Sequence, residues 1–357
     1  MNTTISQTHD ITSRLSRPTE PCVCGTYAEV NRCNLKEDGK KHKSVAVKSY
    51  KSKFNDPLEK NSKTIRSDIQ LLLSLPHHVN VVPFLGFKKD GASLSLVMPW
   101  MSAGTLTSFI RTVSIETAAK TMLSHDISSG LEHLHSNFVI HGNLESDNVL
   151  ITERHSACLS GFRQSVRLSS RDAAGPQFQM PPKPAIQFAG PEWFVRDDAR
   201  FQHLPLPKRL FKSDIYSLGC LMFYIFTKSM PWHDATSVDI SDQLRTCVTP
   251  SRPRGTILND DQWALIEPCL SLLPQDRPST SEVLVLIGPP DLTGQIKRQR
   301  NYPNASGGYG SVYESIWSRK TGGQVKVAVK VMHVQDSSRI DEVKKVVMKV
   351  HWQIFMR

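Results

Sequence analysis

Val139-Ile140-His141-Gly142-Asn143-Leu144-Glu145-Ser146-Asp147-Asn148-Val149-Leu150-Ile151 is the stretch on which the reading of this chain turns. Immediately before it, Ala118, Ala119, Met122, Leu123, Ile127, Leu131 and Leu134 recur at three- and four-residue spacing, the pattern of an amphipathic helix running from Glu116 to His135. After it comes Arg163 to Pro191, rich in Ser, Pro and Gln, which reads as a long loop of the kind that carries function in a compact domain. Further helices are predicted at 214–227, 260–270 and 280–287. The first hundred residues differ in kind: short β-rich runs at 27–33, 44–50, 81–87 and 94–98 are interrupted by one helical pattern, Ile65, Ile69, Leu72 and Leu73, ending at Pro76. A β-rich half therefore precedes a helical half.

A repeat of domain length runs through the chain. Gly25-Thr26-Tyr27-Ala28-Glu29-Val30 matches Gly307-Gly308-Tyr309-Gly310-Ser311-Val312, and Val45-Ala46-Val47-Lys48 matches Val327-Ala328-Val329-Lys330. The displacement from Gly25 to Gly307 is the same as that from Lys48 to Lys330. Two separate motifs sharing one offset mark the tail as the start of a second copy of the opening segment.

These motifs follow in the order found in the protein-kinase superfamily, and the texture resembles its tyrosine-kinase-like group. Gly25 and Lys48 stand for the Gly-rich turn and the strand lysine, Asp68 for the acidic helix partner of that lysine, and Val97-Met98-Pro99-Trp100-Met101 for the hinge that grips adenine. Val139 to Ile151 lines up with V-I-H-R-D-L-K-P-E-N-V-L-I, Leu159-Ser160-Gly161-Phe162-Arg163 with L-x-D-F-G, Gly190-Pro191-Glu192 with A-P-E, and Asp276-Arg277-Pro278 with the late arginine motif. The resemblance implies an α+β, bilobal fold with a β-rich N-lobe and a helical C-lobe, plus a partial second N-lobe. It implies a disordered tail over 1–17, a kinase-like domain over 18–288, a linker over 289–300 and a truncated N-lobe over 301–357.

The chemistry the family performs needs an Asp to accept the hydroxyl proton, an Asp and an Asn to hold magnesium, and cations on the phosphates. Here the proton-accepting position is Asn143, whose amide is not a base, and losing a positioned base typically costs about 10²–10⁴ in rate. Gly161 stands where the magnesium carboxylate belongs, which leaves Asn148 as the one metal-ligand candidate, and it is neutral. Glu145 replaces the lysine that approaches the terminal phosphate, and Gly142 replaces an arginine. The Gly-rich turn keeps one glycine of three, Gly25. The framework positions are kept: His141, Asp214, Glu192 and Arg277 all match. Kept framework and lost reacting groups are what a pseudokinase shows, a folded signalling regulator or scaffold whose partners are other signalling proteins or kinases. The resemblance implies weak ATP binding at most, through Lys48 and Asp68, and no magnesium. The alternative is an active Ser/Thr kinase in which Asp147 or Glu145 is recruited as base or metal ligand. In the tail, Gly307, Gly310, Lys330 and Glu342 occupy the nucleotide-binding positions of the second copy, and a lone small lobe is expected to fold marginally.

Composition bounds the remaining classes. The 357 residues are 39% hydrophobic and 22% charged, ordinary globular usage. The longest near-continuous apolar run, Leu218 to Phe226, is too short for a bilayer, which needs roughly 18–20 residues. The polar N-terminus lacks a secretory pattern, and seven cysteines without dense spacing point to free thiols and a cytoplasmic setting. The net charge of +11 invites a nucleic-acid reading. However, residues 291–357 carry +7 and residues 1–290 only +4, with the tail lysines interleaved among valines as on the solvated face of folded elements, so nucleic-acid binding is not expected.

Overall fold

The computed structural model describes residues 9–19, 23–25, 28–37, 42–51, 58–91, 93–168, 184–195, 199–201, 203–232, 236–253, 255, 258–288, 296–307, 310–318 and 324–332. They fall into two compact units, divided at Val283 and Leu284.

The first unit opens with β1 (Val23–Cys24), β2 (Ala28–Leu35), β3 (Lys43–Tyr50), helix α1 (Leu58–Ser74), β4 (Gly86–Asp90) and β5 (Ser93–Pro99). The five strands form one antiparallel sheet in the order β1-β2-β3-β5-β4, with Val30 opposite Lys48 and Lys48 opposite Leu96. Alternation along β3 buries Val45 and Val47 on one face, where they join Cys33, Leu35 and Val97. The apolar stripe of α1, Ile65, Ile69 and Leu72, is buried, and the helix contacts β5. The strand expected over 81–87 begins instead at Gly86. Pro83 has no N–H for a sheet ladder, and Val81 and Val82 pair with Leu159 of the helical half instead.

The tail expected to be disordered over 1–17 is corrected from residue 9 onward. Ile11, 5% exposed, enters the apolar cluster of the sheet, the Ile11 N–H donates to the Phe87 carbonyl at 3.1 Å, and Leu15 bridges Leu35. Thr12 Oγ1 also accepts from the Lys89 N–H at 2.8 Å. Two isolated apolar residues in a polar segment supply this anchoring, a signal too sparse to show a period.

The helical half contains α2 (Leu106–Thr112), α3 (Thr117–Ser136), the short strands β6 (Val139–Ile140), β7 (Val149–Ile151), β8 (Ala157–Leu159) and β9 (Val166–Arg167), then α4 (Leu206–Thr227), α5 (Ser237–Arg245), α6 (Asp260–Ile266) and α7 (Thr280–Ile287). β6 pairs β9 and β7 pairs β8, so the stretch from Val139 to Ile151 is a loop pinned between two small ladders. The run Leu218 to Phe226 lies in α4, buried on every side, as a helix that is apolar all round must be. α4 begins at Leu206, ahead of the expected start at Asp214, because Pro207 is tolerated in the first turn of a helix. The helix expected over 260–270 changes to a 3-10 turn at Glu267, next to Pro268. Of the loop expected over 163–191, residues 169–183 lie outside the described residues, and Val166–Arg167 is the strand β9.

The second unit contains β10 (Ile296–Arg298), β11 (Ala305–Gly307), β12 (Gly310–Ser318) and β13 (Gln324–Met332), in the order β10-β12-β11 with β13 on β12. Val312 faces Lys330 and Trp317 faces Val325, the same pairings, at the offset of the sequence repeat, as Val30 with Lys48 and Leu35 with Lys43. The two hairpins share a register as well as a motif. The linker expected over 289–300 contains β10, which pairs with β12 through Lys297 and Ile316, so this sheet starts before residue 301.

Candidate active cleft

The site is built on the loop after β6, whose backbone is clamped by one carboxylate. Asp214, buried on α4, accepts from the His141 N–H at 2.8 Å through one oxygen and from the Gly142 N–H at 2.9 Å through the other, and it meets His135 Nε2 at 3.0 Å. His141 Nε2 lies 2.9 Å from the Ser160 carbonyl oxygen, and burial pushes the ring's pKa down, favouring the neutral form. The His141 ring leans on Phe162 at 5.5 Å, which ties the loop to the turn after β8. A second anchor holds the segment that returns to α4. Arg277 and Glu192, 1% and 3% exposed, form a two-pronged ion pair at 2.8 and 2.7 Å. The remaining Arg277 donors are spent on the carbonyls of Ser271, Lys212 and Leu272, and the guanidinium lies 4.9 Å from the Tyr216 ring centroid. A buried charge pair is tolerated only when its spare hydrogen-bonding capacity is satisfied in this way.

Inside this frame the reacting positions are held by amides. Asn143 donates from Nδ2 to Glu145 Oε1 at 2.8 Å and accepts at Oδ1 from the Ala185 N–H at 3.1 Å. Asn148 Nδ2 donates to the Asn143 carbonyl at 2.9 Å and to Glu145 Oε1 at 3.1 Å. Glu145 is thus gripped by two amides, while burial raises its pKa and the Lys48 ammonium opposes that rise. Gly161 has φ +79 and ψ 40, a left-handed conformation that glycine adopts without cost. A Cβ built there would overlap the Asn148 amide, whose Oδ1 is its nearest neighbour. At Gly142, φ +75, an added Cβ would lie 2.6 Å from the Gln164 carbonyl oxygen. Asp147 is exposed and accepts from Thr105 Oγ1 at 3.2 Å, at the start of α2.

The floor of the cleft is β3 and α1. Asp68 is 3% exposed, and its Oδ2 accepts a short hydrogen bond from the Tyr50 hydroxyl. Burial drives the Asp68 carboxyl up to about 6 against the pull of that hydrogen bond, of Lys48 and of Arg163. Burial also pushes the Lys48 ammonium down, with the charge of Arg163 acting in the same direction and those of Asp68 and Glu145 against it. The expected partnership of Lys48 with Asp68 is therefore felt through space, the direct contact of Asp68 being with Tyr50. Lys48 Nζ lies 5.7 Å and Arg163 Cζ 5.4 Å from the Tyr50 ring centroid.

Asn143 and Asn148 are thus joined through Glu145, and the charge of Lys48 is felt by both Glu145 and Asp68. Gly25 lies in the turn between β1 and β2, exposed, its N–H donating to the Ala28 carbonyl at 2.9 Å. Gly307 and Gly310 face each other across the β11–β12 hairpin, Lys330 sits on β13 opposite Val312, and Glu342 lies outside the described residues. Sequence reasoning missed Tyr50 and Arg163. Tyr50 has a signal, since residues two apart on a strand share a face. Arg163 has only its place one residue after Phe162.

No helix among the described residues is long and apolar enough to cross a membrane, and among them no group of three or more His, Cys, Asp or Glu side chains is placed to hold a metal ion.

The family model for protein tyrosine and serine/threonine kinases matches residues 19–287. Similar curated proteins include the serine/threonine-protein kinase BCK1/SLK1/SSP31 of Saccharomyces cerevisiae, 25% identical over 246 residues that cover 68% of this chain and 16% of the yeast protein. The serine/threonine-protein kinase CTR1 of Arabidopsis thaliana is 26% identical over 224 residues, 59% of this chain and 25% of that protein. The serine/threonine/tyrosine-protein kinase HT1 of Arabidopsis thaliana is 26% identical over 272 residues, 74% of this chain and 63% of its own length. The chain thus spans a quarter or less of the length of the first two relatives.

Proposed function

The chain belongs to the protein tyrosine and serine/threonine kinase family, and from that premise we propose that its first domain is a pseudokinase, a non-catalytic regulator or scaffold whose partners are other signalling proteins or kinases. The observation that carries this reading is the hydrogen-bonded set Asn143, Glu145 and Asn148 around Gly161, standing where phosphoryl transfer needs a base, a cation and a metal carboxylate. An amide whose oxygen and nitrogen are both engaged takes no proton from a substrate hydroxyl. Magnesium in this family draws on an Asp and an Asn; here the first has no side chain and the second fills the volume that side chain would enter. The residues present do not fit the ion. Lys48 and Asp68 support nucleotide binding of low affinity only. On the same premise the kinase-like domain extends over 18–288, and the tail with the repeated hairpin is part of a second N-lobe. A cytoplasmic setting accords with this role.

A second reading, an active Ser/Thr kinase, is favoured by the names of the relatives, two of the three above being serine/threonine-protein kinases and the third a serine/threonine/tyrosine-protein kinase. It needs a base, and the two carboxylates nearest in sequence are committed elsewhere, Glu145 to two amides and Asp147 to Thr105. Incubating the full chain with γ-labelled ATP and magnesium separates the two. Incorporation no greater than in a Lys48→Met variant is expected; label that depends on Lys48 makes the second reading the right one.

A further inference from the structure

Outside the cleft, the loop that leaves α5 and the end of α6 enclose a pocket of about 380 Å³. Its apolar lining includes Leu270, 3% exposed, and Pro250, which is buried. Trp263, a half-buried indole on α6, lines it together with Glu267. The two are four residues apart, the Glu267 N–H donates to the Trp263 carbonyl, and Glu267 keeps helical angles, φ −53 and ψ −46, so their side chains share one face.

Two charged side chains line the pocket, and they differ in their commitments. Arg252 donates from Nη1 to Asp260 Oδ1 and from Nη2 to the Leu258 carbonyl, each at 2.7 Å. The exposed Glu267 carboxylate has neither a hydrogen bond nor an ion pair among the described residues. The open charge of the pocket is therefore negative, and it stands beside an aromatic face. A guanidinium is the cation that suits both, since its plane stacks on an indole while its edge meets a carboxylate through two N–H groups. The aliphatic stem behind it would cover Leu270 and Pro250. The walls are fixed: Asn259 and Gln262 cap α6 reciprocally, and the loop enters through Cys247, held at φ +62. Val248, next to the lining residue Thr249, is 44% exposed and offers apolar surface to a residue flanking the cation.

We propose that this pocket docks an arginine-bearing segment of a partner protein, the guanidinium lying on the Trp263 indole and paired with Glu267. The site shares no residue with the cleft, so it goes beyond the non-catalytic reading and holds whether or not the chain transfers phosphate. No bond is made or broken.

The test is nuclear magnetic resonance of the full chain, isotope-labelled at the tryptophan indole nitrogens, with the Trp263 signal identified by its loss in Trp263→Phe. The probe is the capped peptide acetyl-Gly-Ala-Arg-Ala-Gly-amide, with Lys or Glu in place of Arg as controls. The Arg peptide is expected to shift the Trp263 signal saturably with a Kd on the order of 1 mM, the scale of one stacked and paired cation without a flanking interface. The Lys peptide is expected to bind about threefold more weakly or worse. Glu267→Gln, nearly equal in volume and at an exposed position, should leave the other indole signals in place and weaken the Arg peptide about tenfold. A Trp263 signal that stays still at about 10 mM Arg peptide, equal binding of the Glu peptide, or an affinity that Glu267→Gln leaves unchanged would overturn the proposal. So would a Trp263 signal that moves with protein concentration alone, because a second copy of the chain would then fill the pocket.

Discussion

The buried anchors and the cleft stand side by side and have been treated in opposite ways. Asp214 holds the backbone of His141 and Gly142, and the very next residue, Asn143, carries an amide. Glu192 and Arg277 are fully engaged and buried, whereas Gly161 has no side chain with which to engage anything. The contrast teaches that the two sets answer to different costs. Removing a framework charge leaves its buried partner without compensation. At Asn143 the amide instead finds a partner for each of its polar atoms, Glu145 for the nitrogen and Ala185 for the oxygen.

The comparison breaks most readily at its strongest point. Arg277→Ala should lower unfolding free energy by about 3–5 kcal/mol, since Glu192 is left buried and unpaired. Chemical denaturation checks it, and an effect near that of a surface ion pair would place Arg277 outside the framework. Asp214→Asn should cost about 1–3 kcal/mol, because the amide has one oxygen for two buried N–H donors.

Asp68 offers a test with a sign. Its carboxyl titrates at about 6 in the folded chain, above the ordinary value of 3.8, so the folded state holds the proton more tightly. Its contribution to stability therefore grows as pH falls from 7 to 4 and is lost as pH rises through 6. Relative to Asp68→Asn, the unmodified chain should gain on the order of 1–3 kcal/mol over that acid step in urea titrations; a flat difference would mean that Asp68 is solvated. The smallest effect lies outside both regions. Thr236 caps α5 in a reciprocal pair with Asp239, and Thr236→Ala should cost about 1 kcal/mol without changing any property of the cleft.

Much of this arrangement was legible in the residues. The resemblance marked Asp214, Glu192 and Arg277 as framework positions, and all three are buried, Asp214 on the loop and Glu192 with Arg277. The common offset of the two glycine turns and the two strand lysines anticipated a shared strand register, since identical alternation on paired strands leaves little freedom to slip. What was not legible depended on partners distant in sequence. Asp68 has a carboxylate suited to Lys48, yet the Tyr50 hydroxyl reaches it, and only the three-dimensional approach of β3 to α1 decides between them. Arg163 lies far along the chain from Tyr50, and nothing in its neighbours shows that its guanidinium turns toward that ring. Ile11 and Leu15 carry no period, so the packing of the N-terminal segment on the sheet had no sequence signature.

Separability of frame and chemistry is tested most directly by hydrogen exchange at the His141 and Gly142 amides. Both donate to Asp214 and are buried, so slow exchange is expected in the unmodified chain and equally in Asn143→Ala, with protection lost in Asp214→Asn. Exchange that quickens as much in Asn143→Ala as in Asp214→Asn would contradict it, because Asn143 would then share in holding the loop.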